Sequence, residues 1–235
     1  MRFSWFAIFR DDANPRVRIS DADRAAVRAL VAATPGATRA TVYTPETAKD
    51  HYVDDGPSPQ LALQIDFGEL IDLEAALGPD GHLQALARPG ALPSLAGASP
   101  VHQAMARRGY DVPDPVFRTP AGGLACSYLV HYPGPAADTA AWLRHYVAHH
   151  PPIMRRFPGI RAIEILSRID WIDALPWARA DAMQRNRVVF DSPEALTAAL
   201  QSPVRHEMRS DYHAFPPFEG GSFHFPMATD VVKGG

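Results

Sequence analysis

The residue of this chain with the clearest capacity for chemistry is a histidine near the end of an amphipathic segment, Trp142–Gly159. The positions at i, i+3, i+4 and i+7 of this segment share one helix face, and they are Leu143, Tyr146, Val147 and His150. A proline pair follows directly and predicts the end of the helix. An imidazole on a buried face is either a packed core residue or a group that exchanges protons near neutral pH. We therefore take His150 as the first candidate for a general acid or base.

Phenol groups accompany this histidine on a preceding strand that ends at a Pro-Gly-Pro turn. Alternation along that strand puts Cys126, Tyr128, Val130 and Tyr132 on one side, and this more apolar side is expected to face His150. Tyr128 is then a catalytic candidate and Tyr132 can hydrogen-bond a substrate. Aromatic packing with satisfied hydroxyls is the alternative for each of them. His131, on the opposite side, is expected at the rim of the pocket as a further catalytic candidate.

Other side chains are candidates for substrate binding rather than for proton transfer. Tyr146 lies on the same helix face as His150, and Trp171, Trp177 and Arg179 occupy a loop after the next strand. Such a loop can form a lid, with Arg179 available to a carboxylate. An ordinary packed loop is the alternative.

The remaining histidines of this region give no metal motif. His145 and His149 have the i, i+4 spacing of two ligands on one helix face. No carboxylate at helical spacing completes a site, and His-Glu-x-x-His is absent. We therefore expect exposed helix histidines and no metal.

Composition excludes several classes of function. The chain has 235 residues, 46% of them hydrophobic, and a net charge of -3. There is no basic excess for nucleic acid and no apolar run long enough for a membrane span. The single Cys126 excludes an internal disulfide and a cysteine-based zinc site. The expectation is a cytoplasmic protein whose partner is a small molecule, with a homodimer of tandem chains as a further expectation.

The second half of the chain has the clearer order of elements. Strands are predicted at 122–132, 160–171, 187–190 and 222–227. One helix, capped by Asp138 or Thr139, separates the first two strands, and a second begins at Ser192-Pro193-Glu194. The order is β-α-β-β-α-β, the split unit of ferredoxin-like folds.

The first half repeats most of this order. Strands are predicted at 3–9, 39–43 and 60–67, with helices from Ser20 or Asp21 to Ala33 and over Leu70–Leu86. A fourth strand is not evident, and residues 88–121 are interpreted as a connection with a short helix at His102–Arg108. The predicted domains are a degenerate unit at 1–87, this connection, and a unit at 122–235.

Two open sheets each need a cover on the face that their helices leave bare. We therefore predict an α+β fold in which two tandem ferredoxin-like units pack sheet to sheet within the chain. Glu164 and Arg168 are then expected at the sheet-sheet interface opposite Gln64 and Asp66, where a buried Arg-carboxylate pair would join the halves.

Residues 122–230 resemble a known family. The motifs that carry the resemblance are His150-Pro151-Pro152-Ile153, Phe157-Pro158-Gly159, Asp191-Ser192-Pro193-Glu194-Ala195 and Asp211-Tyr212. In this order they are similar to the EthD-type branch (named for ethyl tert-butyl ether degradation) of the dimeric α/β-barrel superfamily. The first half matches only in element order and lacks a His-x-Pro segment. The resemblance implies an intrachain dimeric α/β barrel whose pocket lies in the C-terminal half.

Relatives in this superfamily include lactone isomerases, polyketide cyclases and haem-degrading monooxygenases, so fold alone does not define function. The first hypothesis is a cofactor-independent isomerase or lyase acting on a small aromatic-derived or lactone-like catabolite. Isomerisation, cyclisation, C–C cleavage and decarboxylation all fit a site of imidazole and phenols. The second is a haem-binding monooxygenase-like protein with His206 or His213 as axial ligand, both also counted as substrate-binding candidates. The third is a non-enzymatic binding or accessory protein.

Overall fold

The computed structural model describes residues 2–234. The strands of the first half are β1 (Arg2–Arg10), β2 (Ala37–Pro45), β3 (Leu61–Phe67) and β4 (Ser99–Tyr110). Its helices are α1 (Asp21–Ala32) and α2 (Leu70–Leu77), followed by 3-10 turns at His82–Ala87 and Pro93–Leu95. No helix among residues 2–234 is long and apolar enough to cross a membrane.

The strands of the second half are β5 (Ala125–Tyr132), β6 (Ile160–Arg168), β7 (Ala178–Arg179), β8 (Gln184–Phe190) and β9 (Phe223–Lys233). Its helices are α3 (Thr139–Met154), α4 (Pro193–Leu200) and α5 (Pro203–His213). Side chains cap two of these helices as the sequence predicts. Asp138 accepts a hydrogen bond from the Ala141 amide (2.9 Å) and Ser192 accepts one from the Ala195 amide (3.2 Å).

Eight of the nine strands form a closed antiparallel barrel. Their order is β1-β3-β2-β9-β5-β8-β6-β4, and β4 closes the ring by pairing with β1. The two-residue β7 adds a parallel pairing to β4. The protein is therefore an α+β protein with a closed barrel, and its helices pack on the outer surface of that barrel.

Strand β4 corrects the sequence prediction for the connection. The segment His102–Arg108, expected as a short helix, lies inside this strand. Its alanine, methionine and arginine residues favour helix in isolation. Pairing with β1 along one edge and with β6 along the other overrides that preference, because both barrel edges need a partner.

Helix α3 also departs from the prediction, since it continues through Pro151 and Pro152 to Met154. The φ angle of proline suits a helix, although each proline removes one N–H bond and its ring crowds the carbonyl four residues earlier. The amide of Arg155 returns to the carbonyl of Pro151 at 3.0 Å, which closes the last turn. The extra turn keeps His150 within the helix instead of at its end.

The barrel interior contains a buried carboxylate surrounded by arginines. Glu164 lies 2.7 Å from Arg39, 2.9 Å from Arg107 and 3.3 Å from Arg187, and it accepts a hydrogen bond from Gln64 at 3.0 Å. Burial raises the pKa of this carboxyl, but the three guanidinium groups outweigh burial and hold the pKa at about 2. The predicted buried Arg-carboxylate contact between the halves is therefore present.

Asp66 joins the same network through Arg39, at 2.7 Å. Arg168, in contrast, was wrongly expected there. It lies at the exposed end of β6 and binds Asp181 at 3.0 Å, because the last residue of the strand extends past the barrel interior.

Candidate functional site

A narrow cavity lies between the outer surface of the barrel and helices α3, α4 and α5. Its free volume is about 60 Å³. The apolar part of its wall consists of Val53, Val130, Met154, Phe157, Val188, Phe190, Leu196, Leu200 and Met208. The polar part consists of Tyr128, Tyr132, His150, Asn186, Arg205, Arg209, Tyr212, Ser222 and His224. A mostly apolar wall with a few convergent polar groups is typical of a small-molecule site.

His150 occupies this cavity together with a carboxylate partner. The Nδ1 atom of its ring lies 2.6 Å from Oδ2 of Asp211, and only 4% of the residue is exposed. Burial lowers the pKa of His150, and the hydrogen bond with Asp211 offsets this effect only in part. The imidazole is therefore neutral at neutral pH, and donation from Nδ1 to the carboxylate leaves Nε2 as the proton acceptor.

Asp211 lies on α5, and its packing against α3 makes this contact. Burial raises the pKa of the carboxyl, but the hydrogen bond from His150 and the nearby histidines bring the net shift below its usual value. Nε2 of His145 lies 3.5 Å from the other carboxylate oxygen. Asp211 therefore stays ionised and fixes the tautomer and orientation of His150, as the aspartate of a catalytic triad does.

Tyr128 is held by a second carboxylate. Its hydroxyl donates to Oδ2 of Asp50 at 2.9 Å, and Arg205 donates to both oxygens of that carboxylate at 2.9 and 3.0 Å. Burial and the charge of Asp50 raise the pKa of Tyr128 well above its ordinary value. Tyr128 therefore remains a neutral phenol.

A second histidine-carboxylate pair stands beside this phenol. Nδ1 of His224 lies 2.8 Å from Oδ2 of Asp55, and the ring of His224 is 5.3 Å from that of Tyr128. The hydrogen bond with His224 lowers the pKa of Asp55. The cavity thus contains two imidazoles that each engage a carboxylate through Nδ1.

The loop 46–60, which connects β2 to β3, closes the cavity from the first half of the chain. It supplies Asp50 and Asp55, and its Lys49 carbonyl accepts a hydrogen bond from Gln201 at 2.9 Å. Sequence reasoning missed both carboxylates, because they lie 78 and 169 positions from Tyr128 and His224. Asp211 had a signal in the Asp-aromatic motif, whereas the loop carried none.

Tyr132 lines the cavity as expected, and Tyr146 lies behind it. The Tyr146 hydroxyl accepts from Asn186 at 2.5 Å, and the two tyrosine rings are 5.6 Å apart. Burial raises the pKa of both phenols. Tyr146 therefore supports the wall and is not itself among the cavity-lining residues.

His131 is the first correction among the candidate residues. It lies on the other side of β5, inside the barrel, where Arg185 donates to its Nδ1 at 2.8 Å. Alternation along the strand separates it from Tyr128 and Tyr132, which face the cavity. It is not part of the rim around His150.

The predicted lid is the second correction. Trp171 and Trp177 pack into the apolar core of the first half, and Arg179 pairs with Asp173. Trp177 stacks on Trp5 with ring centres 6.3 Å apart. The pairing of β7 with β4 draws this loop toward the first half, so these three residues lie away from the cavity.

The third correction concerns His206 and His213. His206 stacks on His51 at 5.3 Å and contacts the hydroxyl of Tyr52 at 2.5 Å, while His213 is exposed at the end of α5. Neither lines the narrow cavity, so these residues do not fit the haem site expected for them. Among residues 2–234, no group of three or more His, Cys, Asp or Glu side chains is arranged to hold a metal ion.

Comparison with known proteins supports the fold. No family model and no curated protein matches the chain. An anthrone oxidase-like protein aligns with 98% of this chain and 93% of its own at 14% identity and a TM-score of 0.61. A "Putative monooxygenase" from Fusobacterium nucleatum has the same coverages, 7% identity and a TM-score of 0.58.

An EthD family protein from Bacillus halodurans aligns with 46% of this chain and 97% of its own, at 18% identity. Its TM-score of 0.34 adds nothing to the fold assignment. The two longer alignments extend over nearly the whole barrel. The chain thus shares the overall fold of these two structures, a closed antiparallel barrel with helices, as the sequence resemblance led us to expect.

Proposed function

We propose that this protein is a cofactor-independent, monooxygenase-like enzyme that removes a proton from a small aromatic-derived compound, whose anion then reacts with dioxygen. The observation that carries the proposal is the buried pair of His150 and Asp211 in a largely apolar cavity. A neutral imidazole with its Nδ1 fixed by a carboxylate is suited to general base catalysis.

In the proposed step, Nε2 of His150 accepts a proton from a carbon or phenol of the substrate. Asp211 stabilises the imidazolium that results. Arg205 lies in the same wall, and its terminal N–H groups, which Asp50 does not use, can donate to a substrate oxygen on which negative charge develops. Deprotonation inside an apolar cavity thus has both a proton acceptor and a hydrogen-bond donor for the anion.

The structural matches support oxygen as the second reactant, since they are described as anthrone oxidase-like and as a monooxygenase. For a methylene group between two aromatic rings, the overall change is R2CH2 + O2 → R2C=O + H2O. Proton removal makes the electron-rich carbanion, dioxygen takes its electrons, and loss of water leaves the ketone. No step passes through haem, because the histidines expected to bind it lie outside the cavity.

Isomerase or lyase chemistry on the same type of substrate is the second candidate, because it begins with the same proton transfer to His150. It differs in needing no dioxygen. A non-enzymatic binding protein would use the cavity without proton transfer. The three candidates can be told apart by measurement. The oxygen-using enzyme consumes dioxygen during turnover, the isomerase or lyase turns over substrate without dioxygen, and the binding protein does neither.

The free volume of the cavity, about 60 Å³, requires an opening before a ring system enters. The loop 46–60 is the element that closes the cavity without being part of the barrel, so it can open by releasing the contacts of Asp50 and Asp55 while the strands stay paired. We therefore assign substrate entry to this loop.

The experiment uses anthrone as probe and measures oxygen uptake together with anthraquinone formation. Wild-type protein is expected to consume one O2 per anthraquinone, and His150→Gln to lose this activity. His149→Gln is the matched control, since His149 is the exposed neighbour on the same helix. Equal turnover by wild type and His150→Gln would refute the proposal, and turnover that requires added haemin would replace it with the haem alternative.

We also propose that the barrel consists of two ferredoxin-like units within one chain. The strand order is β4-β1-β3-β2 in the first half and β9-β5-β8-β6 in the second, the same order when each half is numbered separately. The first unit then takes its fourth strand from residues 99–110 of the predicted connection 88–121. A homodimer of tandem chains stays a prediction, which light scattering after size-exclusion chromatography tests.

A further inference from the structure

A second cavity lies at one end of the barrel and is separate from the site around His150. It has a volume of about 600 Å³ and opens between β1, β4, β5, β8 and β9. Its wall combines apolar side chains with two buried polar ones, and the residues used below are Ile8, Val101, Phe225, His131 and Arg185. This volume lies within the usual range of small-molecule sites.

Arg185 is a buried guanidinium without a carboxylate partner. It is 4% exposed, and no carboxylate of residues 2–234 lies within the 4.0 Å limit for an ion pair. Its hydrogen bonds go to neutral groups, namely His131 Nδ1 at 2.8 Å and Gln103 Oε1 at 3.3 and 3.4 Å. Three of the five N–H groups of the guanidinium are thus used, and two have no acceptor in the described part of the chain.

His131 presents a further donor without an acceptor. Because Arg185 donates to Nδ1, the neutral ring carries its proton on Nε2. That Nε2 atom is buried and has no hydrogen-bond partner among residues 2–234. Burial and the positive charge of Arg185 lower the pKa of His131 well below its ordinary value, so the ring stays neutral. Arg185 and His131 both line this cavity, and among residues 2–234 two N–H groups of Arg185 and one of His131 have no acceptor.

The charges at the mouth of the cavity do not neutralise Arg185. Asp12 pairs with Arg10 at 2.6 Å, Asp55 with His224 at 2.8 Å, and Asp181 with Arg168 at 3.0 Å. Asp12 and Asp181 thus each pair with an arginine, and Asp55 is engaged by the His224 ring. The guanidinium inside remains the unbalanced charge, and a buried unbalanced charge is costly unless a counter-ion joins it.

We propose that this end of the barrel binds the carboxylate of a small organic acid. The carboxylate would accept the free N–H groups of Arg185, because two oxygens match a planar guanidinium. The Nε2–H of His131 points away from Arg185, because Nδ1 of the same ring accepts from Arg185. The apolar body of the acid would lie against Ile8, Val101 and Phe225. Such walls favour an acid with a hydrocarbon or aromatic body over a bare inorganic anion.

This site is distinct from the proposed active site. Successive residues of β5 face opposite ways, so His131 faces into the barrel while Tyr128 and Tyr132 line the cavity of His150. A ligand at Arg185 therefore does not compete for the base. The two sites can be tested independently with one substitution in each.

The test measures binding of benzoate by calorimetry, with benzamide as the neutral molecule of the same shape. Wild type and His150→Gln are expected to bind benzoate equally. Arg185→Gln is expected to weaken it by at least about tenfold, the effect of losing a charge-assisted hydrogen-bond pair. Benzamide and sulfate are expected to bind much more weakly than benzoate.

A readout on wild-type protein covers the case in which Arg185→Gln does not fold. Benzoate is expected to shift the side-chain ¹⁵N resonances of His131, whose Nδ1 accepts a hydrogen bond from Arg185, and not those of His150. Benzoate binding that survives Arg185→Gln, or that is lost only in His150→Gln, would overturn the proposal. Equal binding of benzamide, or an unchanged His131 resonance at saturating benzoate, would do so as well.

Discussion

Nδ1 of His150 and Oδ2 of Asp211 lie 2.6 Å apart, although 61 positions separate them in the chain. The contact joins α3 to α5, so the packing of two helices sets the protonation pattern of one imidazole. Five predictions follow from this and related contacts.

Substitution of Asp211 by Asn is expected to reduce turnover by at least about a hundredfold, within the usual range of a general base contribution. The amide can accept from Nδ1 through its oxygen, but it carries no charge to stabilise the imidazolium. Steady-state rates with anthrone measure the effect. Glu207→Gln on the exposed face of the same helix is the control, and a rate for Asp211→Asn equal to that of the control would contradict the assigned role.

The pH dependence of turnover reports on His150. Because burial lowers its pKa, the base is expected to stay unprotonated below pH 6.5, the ordinary value for histidine. The acidic limb of kcat/KM should therefore lie below pH 6.5. A limb at or above this pH in the free enzyme would show that a different group, or a solvated imidazole, accepts the proton.

The same pKa shift affects stability. The unfolded chain binds a proton at His150 as the pH falls below 6.5, whereas the folded protein does so only at lower pH. Stability is therefore fully present above pH 6.5 and declines as the pH falls toward the folded-state value. Urea unfolding at pH 7.5 and 5.5 measures the decline, which should be smaller in His150→Gln; an equal decline would indicate that His150 has no shifted pKa.

Removal of Asp50 tests the closure of the cavity by the loop 46–60. Asp50→Ala leaves Arg205 buried without its carboxylate and Tyr128 without its acceptor. The free energy of unfolding should fall by about 3 kcal/mol, as for other buried pairs that lose one partner. Asp54→Ala, in the exposed part of the same loop, should change it by less than about 0.5 kcal/mol; similar losses for the two variants would argue against the buried contact.

Glu164, at the centre of the barrel, is expected to contribute to the stability of the fold and not to turnover. Glu164→Gln leaves Arg187 without an ion-pair partner and leaves Arg39 and Arg107 to share Asp66, so the free energy of unfolding in urea should fall by about 3 kcal/mol. The exposed ion pair of Arg156 and Glu207 is the control. Glu207→Gln should lower the free energy of unfolding by less than about 1 kcal/mol. A small loss for Glu164→Gln would mean that solvent enters the barrel interior.

Local patterns in the sequence were sufficient for most elements of the fold. Alternation at Leu61–Phe67, the capping residues Asp138 and Ser192, and the helical face ending at His150 all correspond to observed structure. Strand β4 was missed because its residues lack alternation and favour helix locally. Its conformation depends on pairing with β1 and β6, which are distant in the chain.

The candidate site was only partly predictable for the same reason. The side of β5 that faces the helices could be inferred from its apolar residues, which placed Tyr128 and Tyr132 beside His150. Asp50 and Asp55 belong to the other half of the chain, and no local pattern connects them to the cavity. The loop with Trp171 was misplaced because the pairing of β7 with β4 is likewise non-local.

The most direct test of the central claim is proton exchange at the substrate without oxygen. Anthrone is incubated anaerobically in D2O with wild type, His150→Gln and His149→Gln, and NMR follows loss of its methylene proton signal. We predict enzyme-dependent exchange in wild type and His149→Gln that falls to the protein-free rate in His150→Gln. Exchange at the wild-type rate in His150→Gln would contradict the assignment of His150 as the base.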